Sequence, residues 1–176
     1  MKLDKLVVLI KGAGELASGV AHRLSRSHFR VCMTEVSYPQ AVRRGVSFCE
    51  AVYDGKKEVE GVMARLISSP EEVVQVWRES GIPLIVDPEA TIRHALKPNV
   101  LIDAIIAKRN LGTRITDAPL VIGLGPGFQV NNDVHFVIET NRGHDLGRLL
   151  LKGEALPNTG IPGDIGGISV KRVIRS

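Results

Sequence analysis

Two glycines separated by one residue follow a short apolar run near the start of the chain. Residues 6–10 are all apolar, and Gly12, Ala13 and Gly14 come after a single lysine. From Glu15 and Leu16 onward, apolar residues recur at helical spacing. A buried strand, a tight glycine turn and a helix start in this order hold a phosphate against the backbone N–H groups of the helix N-terminus. We therefore predict that these five residues bind a nucleotide.

An acidic residue lies where a dinucleotide site requires one. Glu35 ends a predicted strand over residues 30–36, and an acid about 20 residues after the glycines binds the ribose hydroxyls. Ala17 occupies the third small position of the G-x-G-x-x-G/A pattern. The spacing suits NAD better than NADP, although Arg43 or Arg44 could meet an additional phosphate. A structural turn beside an empty crevice is the alternative interpretation.

A second glycine-rich turn follows a later apolar run. It contains Gly123, Gly125 and Gly127 around Pro126, whose ring fixes φ and removes an amide donor. This turn is rigid and a poorer cradle for phosphate, but its backbone can approach a ligand closely. We count the three glycines as candidate cofactor-binding residues, with a plain tight turn as the alternative.

Two polar groups follow predicted strands, at the sheet edge where ligands collect in open α/β folds. They are Lys108, Arg109 and Asn110, and then Thr140, Asn141, Arg142 and His144. Arg142 can hold a phosphate or carboxylate with two parallel hydrogen bonds, and His144 can transfer a proton near neutral pH. His144, Arg142 and Lys108 are the catalytic candidates, and the other members together with Arg142 are candidates for cofactor binding. Solvated polar loops are the alternative.

Three residues within or beside the predicted strands have structural interpretations. Asp103 lies inside an apolar strand predicted over residues 100–107 and needs a buried partner, for which Lys108 or Arg109 is expected. Cys32 and Cys49 are expected to be small buried hydrophobes, with a reactive thiol as the alternative for Cys49. The histidines and cysteines lack metal-ligand spacing, so no metal site is predicted.

Strand and helix patterns alternate through the first 107 residues. Strands are predicted at 6–10, 30–36, 58–67, 82–86 and 100–107, and helices at 15–26, 39–52, 70–80 and up to 96. Ser69, Pro70 and Glu72 form a helix start with a capping box. This alternation predicts a Rossmann-like α/β parallel sheet with helices on both faces over residues 1–107. Residues 108–176 are predicted to be a β- and loop-rich C-terminal region packed on it, with strands at 120–122, 134–138 and 168–174. One continuous domain is the alternative.

Composition excludes several functional classes. The chain has 176 residues, 44% of them hydrophobic and 24% charged, which is typical of one soluble domain. The net charge of +4 comes from scattered residues, so nucleic acid is not an expected partner. The first apolar run is too short for a signal segment or a membrane span, and a cytoplasmic location without membrane contact is expected.

Seven sequence blocks together carry a family resemblance. They are KGAGELASGVA at 11–21, VSF at 46–48, EAVYDG at 50–55, AKRNLGT at 107–113, LVIGLGPGF at 120–128, IETNRGH at 138–144 and NTGIPG at 158–163. The chain resembles the YqeB-type accessory proteins of selenium-dependent molybdenum hydroxylase systems. That family is similar to the Rossmann-type domain of the XdhC-like maturation factors for xanthine dehydrogenase.

The resemblance implies cytoplasmic work on molybdenum hydroxylases, with the apo-enzyme as partner. The protein would help the molybdenum cofactor to receive its terminal sulfur or selenium ligand, or to enter the apo-enzyme. The bound group would be NAD(P), another nucleotide or a molybdopterin nucleotide. Related chains often continue past residues 170–176 into a small lipoyl-like barrel, so this chain is either complete or a fragment.

Two other functional classes stay open. One is an NAD(P)-dependent oxidoreductase that uses Glu35 for the ribose, and the other is a non-catalytic docking module. Whether the protein catalyses a reaction, and whether it forms a homo-oligomer, is open as well.

Overall fold

A single mostly parallel sheet organises the protein. The computed structural model describes residues 5–157, and within them nine strands lie in the order β3-β4-β5-β2-β1-β6-β7-β8-β9. The strands are β1 (Val7–Lys11), β2 (Arg30–Glu35), β3 (Lys56–Val59), β4 (Val62–Ile67), β5 (Ile82–Val86), β6 (Val100–Asp103), β7 (Leu120–Leu124), β8 (Phe136–Ile138) and β9 (Leu149–Leu150). The edge strands β3 and β9 are antiparallel to their neighbours, and the strands between them are parallel.

Helices cover both faces of this sheet. They are α1 (Glu15–Arg26), α2 (Ala51–Asp54), α3 (Val73–Arg78) and α4 (Arg93–Leu96). Because successive strand residues point to opposite faces, Ile10 packs in a core with α1 and α2, whereas Leu9 packs in a second core with α3. The predicted Rossmann-like α/β architecture is confirmed.

The order in which strands are added to the sheet reverses at β1. Strand β2 pairs with one side of β1 and β6 with the other, so Lys11 lies between Thr34 and Asp103. In open parallel sheets, a crevice at the carboxyl ends of the strands opens at such a switch point. The glycine turn that follows β1 therefore lies where a ligand site is expected.

The strand predicted over residues 58–67 is a hairpin. Strands β3 and β4 are joined through Glu60 and Gly61, which have φ values of 46° and 77°. Two positive φ values in succession suit a tight hairpin turn. The charged residues of β3 are tolerated because this strand forms an edge of the sheet.

Strand β6 is shorter than predicted. It ends at Asp103 rather than at residue 107. Further along, Ile106 and Lys108 take positive φ values of 59° and 62°, which are incompatible with an extended strand. The sheet continues beyond residue 107 through β7 and β8.

Two predicted helices are shorter than the pattern suggested. Residues 39–52 contain two 3₁₀ turns, Arg44–Val46 and Phe48–Glu50, before α2, and only the last four residues of the helix that reaches Leu96 are helical. The capping box at Ser69 is confirmed, and a 3₁₀ turn over Pro70–Glu72 leads into α3.

Two apolar residues that the helical spacing places on the apolar stripes of α1 and α3, Leu16 and Val74, are each 50% exposed. Strand β9 is not predicted by the sequence pattern. The strand predicted over residues 168–174 lies outside the described residues. Within residues 5–157, no helix has the length and apolar character needed to cross a membrane.

Candidate functional site

The two glycine positions of the first turn differ in whether the fold itself requires glycine there. Gly12 has a φ of +93°, and a Cβ there would lie 3.2 Å from the carbonyl oxygen of Ala104. Gly14 has an ordinary φ of −68°, and nothing lies within 4 Å of the position that its Cβ would take. The fold itself therefore requires Gly12, whereas the missing side chain of Gly14 leaves free space beside the start of α1.

The N-terminus of α1 has no side-chain cap. The amide of Ser18 donates to the carbonyl oxygen of Gly14 at 2.8 Å, whereas the amides of Gly14, Leu16 and Ala17 make no hydrogen bond in the described part of the chain. Helix N-termini carry unpaired donors and partial positive charge. Free amides beside the space at Gly14 are suited to an anion.

Glu35 lies beside the turn, as predicted, but its carboxylate already has partners. Its Oε2 accepts a hydrogen bond from the Ala13 amide at 2.8 Å, and its Oε1 accepts one from the Val36 amide at 2.7 Å. The Ala13 amide is therefore engaged by the protein's own acid. A carboxylate has about four acceptor positions, so Glu35 can still accept a hydroxyl.

The neighbouring charged residues are held in place. Glu15 accepts the amide of Arg43 at 2.9 Å, and hydrogen bonds from its own amide and from Arg43 hold the pKa of Glu15 below its usual value. Arg44 donates two hydrogen bonds to Glu50, at 2.8 Å and 2.6 Å. Of the two arginines considered for an additional phosphate, Arg44 is thus paired with a carboxylate.

A buried polar cluster lies at the carboxyl ends of β1 and β6 and is not predicted by the sequence analysis. Lys11 Nζ donates to Thr113 Oγ1 at 2.8 Å and lies 3.5 Å from Asp103 Oδ2, and Thr113 Oγ1 donates to the same carboxylate oxygen at 2.6 Å. The Lys11 and Asp103 side chains are only 5% and 2% exposed. The expectation that Lys108 or Arg109 partners Asp103 is wrong. A lysine directly after a buried apolar run was the signal available.

Side-chain hydrogen bonds hold the loop between β6 and β7 at its start and near its middle. Asp103 Oδ1 accepts the amide of Ile105 at 3.2 Å, and the Asn110 side chain bonds the amides of Gly112 and Thr113 at 3.0 Å and 2.8 Å. The Asn110 side chain, predicted to contact a cofactor, is thus engaged in its own loop.

Lys108 and Arg109 lie in that loop and are exposed. Neither makes an ion pair among residues 5–157, so both side chains are available to a ligand.

In the second turn, the protein's own atoms occupy the room that the glycines leave. A Cβ on Gly123, which lies within β7, would meet the Phe128 ring at 2.5 Å. A Cβ on Gly125 would lie 2.6 Å from Thr140 Oγ1, and one on Gly127 would lie 2.5 Å from the Cα of Arg109. The close approach expected of these glycines is observed, but with Phe128, Thr140 and Arg109.

Some of the polar residues at the end of β8 and after it are buried or hydrogen-bonded within the protein, and others are exposed. Glu139 accepts the amides of Asn141 and Leu156, each at 2.8 Å, and Thr140 Oγ1 is buried without a hydrogen-bond partner in the described residues. Arg142 and His144 are exposed. Strand β8 is three strands from β1, roughly 14 Å away, so no bond joins these two side chains to the first glycine turn.

Cys49 lies against the glycine turn. Its amide donates to the carbonyl oxygen of Ala13 at 2.9 Å. Burial raises the pKa of the Cys49 thiol to about 11, with the charges of Glu35, Glu50 and Glu15 adding to the effect. Burial likewise raises the pKa of Cys32 to about 12. Both side chains are buried, as predicted.

One curated protein is similar to nearly the whole chain. It is the uncharacterized protein YqeB of Escherichia coli (strain K12), which is 50% identical over 170 residues. The match covers 97% of this chain and 31% of YqeB, so the chain spans about a third of the length of that relative. No protein-family model matches the chain, and no solved structure gives a significant match.

Proposed function

We propose that this protein binds the phosphate of a nucleotide at the N-terminus of α1 and acts as an accessory factor in the maturation of molybdenum hydroxylases. The observation that carries the binding proposal is the free space at Gly14. Glycine is not required there by φ or by packing, so a ligand that approaches the backbone accounts for its absent side chain.

The electrostatics of the turn support a phosphate group. The amides of Gly14, Leu16 and Ala17 have no acceptor in the described part of the chain, and a helix N-terminus attracts negative charge. Helix α1 has 12 residues. Glu35 and the exposed Lys108 and Arg109 would then contact the sugar and the rest of an anionic ligand.

The biological context is an inference from sequence resemblance. The blocks at 11–21, 107–113 and 120–128 resemble accessory proteins of selenium-dependent molybdenum hydroxylase systems. A molybdopterin nucleotide carries the phosphates that this turn would bind, and NAD(P) carries the same groups. The proposed partner is the apo-hydroxylase, which would receive the loaded cofactor.

Calorimetric titration tests the binding site. NAD(H), NADP(H), CTP and molybdopterin nucleotides are titrated into the wild type and into Gly14→Val. The valine side chain would fill the space beside the free amides, so we expect a nucleotide to bind the wild type and its affinity to fall at least about tenfold in the variant, the loss of one charge-assisted contact.

Gly19→Ala is the matched control. Gly19 also has open space at its Cβ position but lies one turn further along α1. Alanine there favours the helix by roughly 0.5–1 kcal/mol and should leave nucleotide affinity unchanged. A nucleotide that binds the Gly14→Val protein as tightly as the wild type would show that the site is elsewhere.

The position of Glu35 favours a second candidate function. A carboxylate beside the first glycine turn is where NAD-dependent enzymes bind the adenosine ribose, so the protein could be an NAD(P)-dependent oxidoreductase. Steady oxidation of a reduced nicotinamide cofactor with a small substrate would select this function. Binding to an apo-hydroxylase without binding to any nucleotide would instead select a docking module.

A further inference from the structure

A pocket of about 450 Å³ lies at the amino ends of the parallel strands, whereas the glycine turn lies at their carboxyl ends. It opens at the amino ends of β2 and β5, between the C-terminal ends of α1 and α3. Its lining includes Phe29, Arg30, Trp77 and Arg78. Pockets of this volume accommodate small organic ligands.

The charged side chains that line this pocket are two arginines, Arg30 and Arg78, and no carboxylate lines it. Neither arginine forms an ion pair within residues 5–157. The adjacent acid, Glu79, contacts Arg65 at 3.1 Å and Gln75 at 2.6 Å instead. The positive charge of the pocket is therefore uncompensated by the described residues.

In the part of the chain that the structure describes, the two arginines make no hydrogen bond to the helix ends. Basic side chains can bond the last carbonyls of a helix, but here backbone amides bond carbonyls near each end. In α1, Leu24 accepts the amide of Phe29 at 3.1 Å. In α3, Val76 accepts the amide of Gly81 at 2.9 Å. This is the bonding pattern of a Schellman motif at each helix end.

An aromatic ring with a fixed orientation completes the pocket. The Trp77 indole N–H donates to the carbonyl oxygen of Val31 at 2.7 Å, and the Arg30 guanidinium lies 5.7 Å from the centre of the Trp77 ring. Stacking on an aromatic ring restricts an arginine while its N–H groups stay available. Arg30 is therefore preorganised to donate hydrogen bonds to an acceptor in the pocket.

We propose that this pocket is a second ligand site, which binds a small anion carrying carboxylate or phosphate groups through Arg30 and Arg78. It is independent of the proposed nucleotide site, because β2 has six residues and separates the two sheet edges by roughly 16 Å. The planar guanidinium of Arg30 supplies paired donors for an oxyanion, and Trp77 supplies an apolar wall for the rest of the ligand.

Trp77 is the single tryptophan of the chain, so its fluorescence reports on this pocket alone. Citrate and pyrophosphate are titrated separately into the full chain at constant ionic strength, with sodium chloride as the reference. We expect a saturable change in Trp77 emission with at least one of the two anions and none with chloride. A citrate response identifies carboxylate recognition, and a pyrophosphate response identifies phosphate recognition.

Variants assign any response to the pocket. Arg30→Gln and Arg78→Gln should each weaken the anion affinity by about tenfold, whereas Arg148→Gln, an exposed arginine near β9, should not change it. Gly14→Val should keep the full response, which separates this proposal from the nucleotide site. The proposal is overturned if neither anion gives a saturable change, or if both pocket variants respond like the wild type.

Discussion

Lys11 lies in an environment that its residue type does not suggest. A lysine is seldom fully buried without a partner, and here Asp103 and Thr113 provide partners at the carboxyl ends of β1 and β6. The glycine spacing and the position of Glu35 were readable from the chain, because the motif specifies both at short range. The partner of Lys11 could not be predicted from the sequence, because Thr113 is 102 residues away from Lys11 along the chain.

Replacing Thr113 tests the cluster. Thr113→Val keeps the shape but removes the hydroxyl that joins Lys11 and Asp103, which leaves buried polar groups without partners. We expect the free energy of unfolding to fall by about 1–3 kcal/mol, measured by urea denaturation. Thr113→Ser, which retains the hydroxyl, should lose less.

Thr116→Val serves as the control in the same loop. Thr116 is exposed, so its replacement should change stability by no more than about 0.5 kcal/mol. Equal losses in Thr113→Val and Thr113→Ser would mean that the hydroxyl contributes nothing.

At the scale of elements, the two glycine turns differ in what surrounds them. The first turn leaves space beside Gly14, whereas the second packs against Phe128, Thr140 and Arg109. Both turns have similar compositions, and the sequence placed both in the binding site. The difference arises because the Phe128 ring, the Thr140 side chain and the backbone of Arg109 in the loop after β6 all lie against the second turn.

Substitutions at Gly127 and Gly147 distinguish the cost of a packing clash from the cost of backbone strain. Both have positive φ values, +105° and +82°, but only Gly127 has a close neighbour, the Arg109 backbone. Gly127→Ala should therefore lower the free energy of unfolding by roughly 2–4 kcal/mol, through strain and a clash. Gly147→Ala should cost only the strain, about 1–2 kcal/mol.

The same urea denaturation, run on both variants, gives this comparison. A Gly127→Ala protein as stable as the Gly147→Ala protein would show that the turn can move away from Arg109 at little cost. In that case the second turn would be free to adapt to a ligand.

On the scale of the whole molecule, the two ends of the parallel strands differ in their chemistry. The glycine turn with Glu15 and Glu35 lies at the carboxyl ends, and the basic pocket lies at the amino ends. Strand β2 joins them, with Arg30 at its start and Glu35 at its end. The alternation of strand and helix patterns predicted helices on both faces of the sheet, but the composition of each end of the strands depends on which strands are neighbours.

The buried thiols make the stability of the whole fold pH-dependent. The pKa of Cys49 is raised to about 11 and that of Cys32 to about 12, from an ordinary value of 9.0. Between pH 9 and 11 the folded protein therefore keeps thiol protons that the unfolded chain has lost. The free energy of unfolding should fall as pH rises through this window, whereas at neutral pH the stabilisation is fully present.

Urea denaturation at pH 8 and pH 10 measures this effect. The double variant Cys32→Val, Cys49→Ala lacks both thiols and should show a smaller decrease between the two pH values. In the folded wild type, a thiol reagent at pH 7 should label neither cysteine until the protein unfolds. Rapid labelling of Cys49 under native conditions would contradict its buried environment.

The sequence by itself determined the α/β class, most of the strands, the glycine turn with Glu35 at its side, and the burial of both cysteines. These features depend on periodicity and on spacing within about two dozen residues. Only the tertiary structure decided that Lys11 pairs with Asp103 and Thr113, that Asn110 serves its own loop, and that residues 28–30 and 77–78 form one basic pocket. The physical reason is that contacts across a parallel sheet follow the order of its strands, and long connections between strands leave that order unspecified by local pattern.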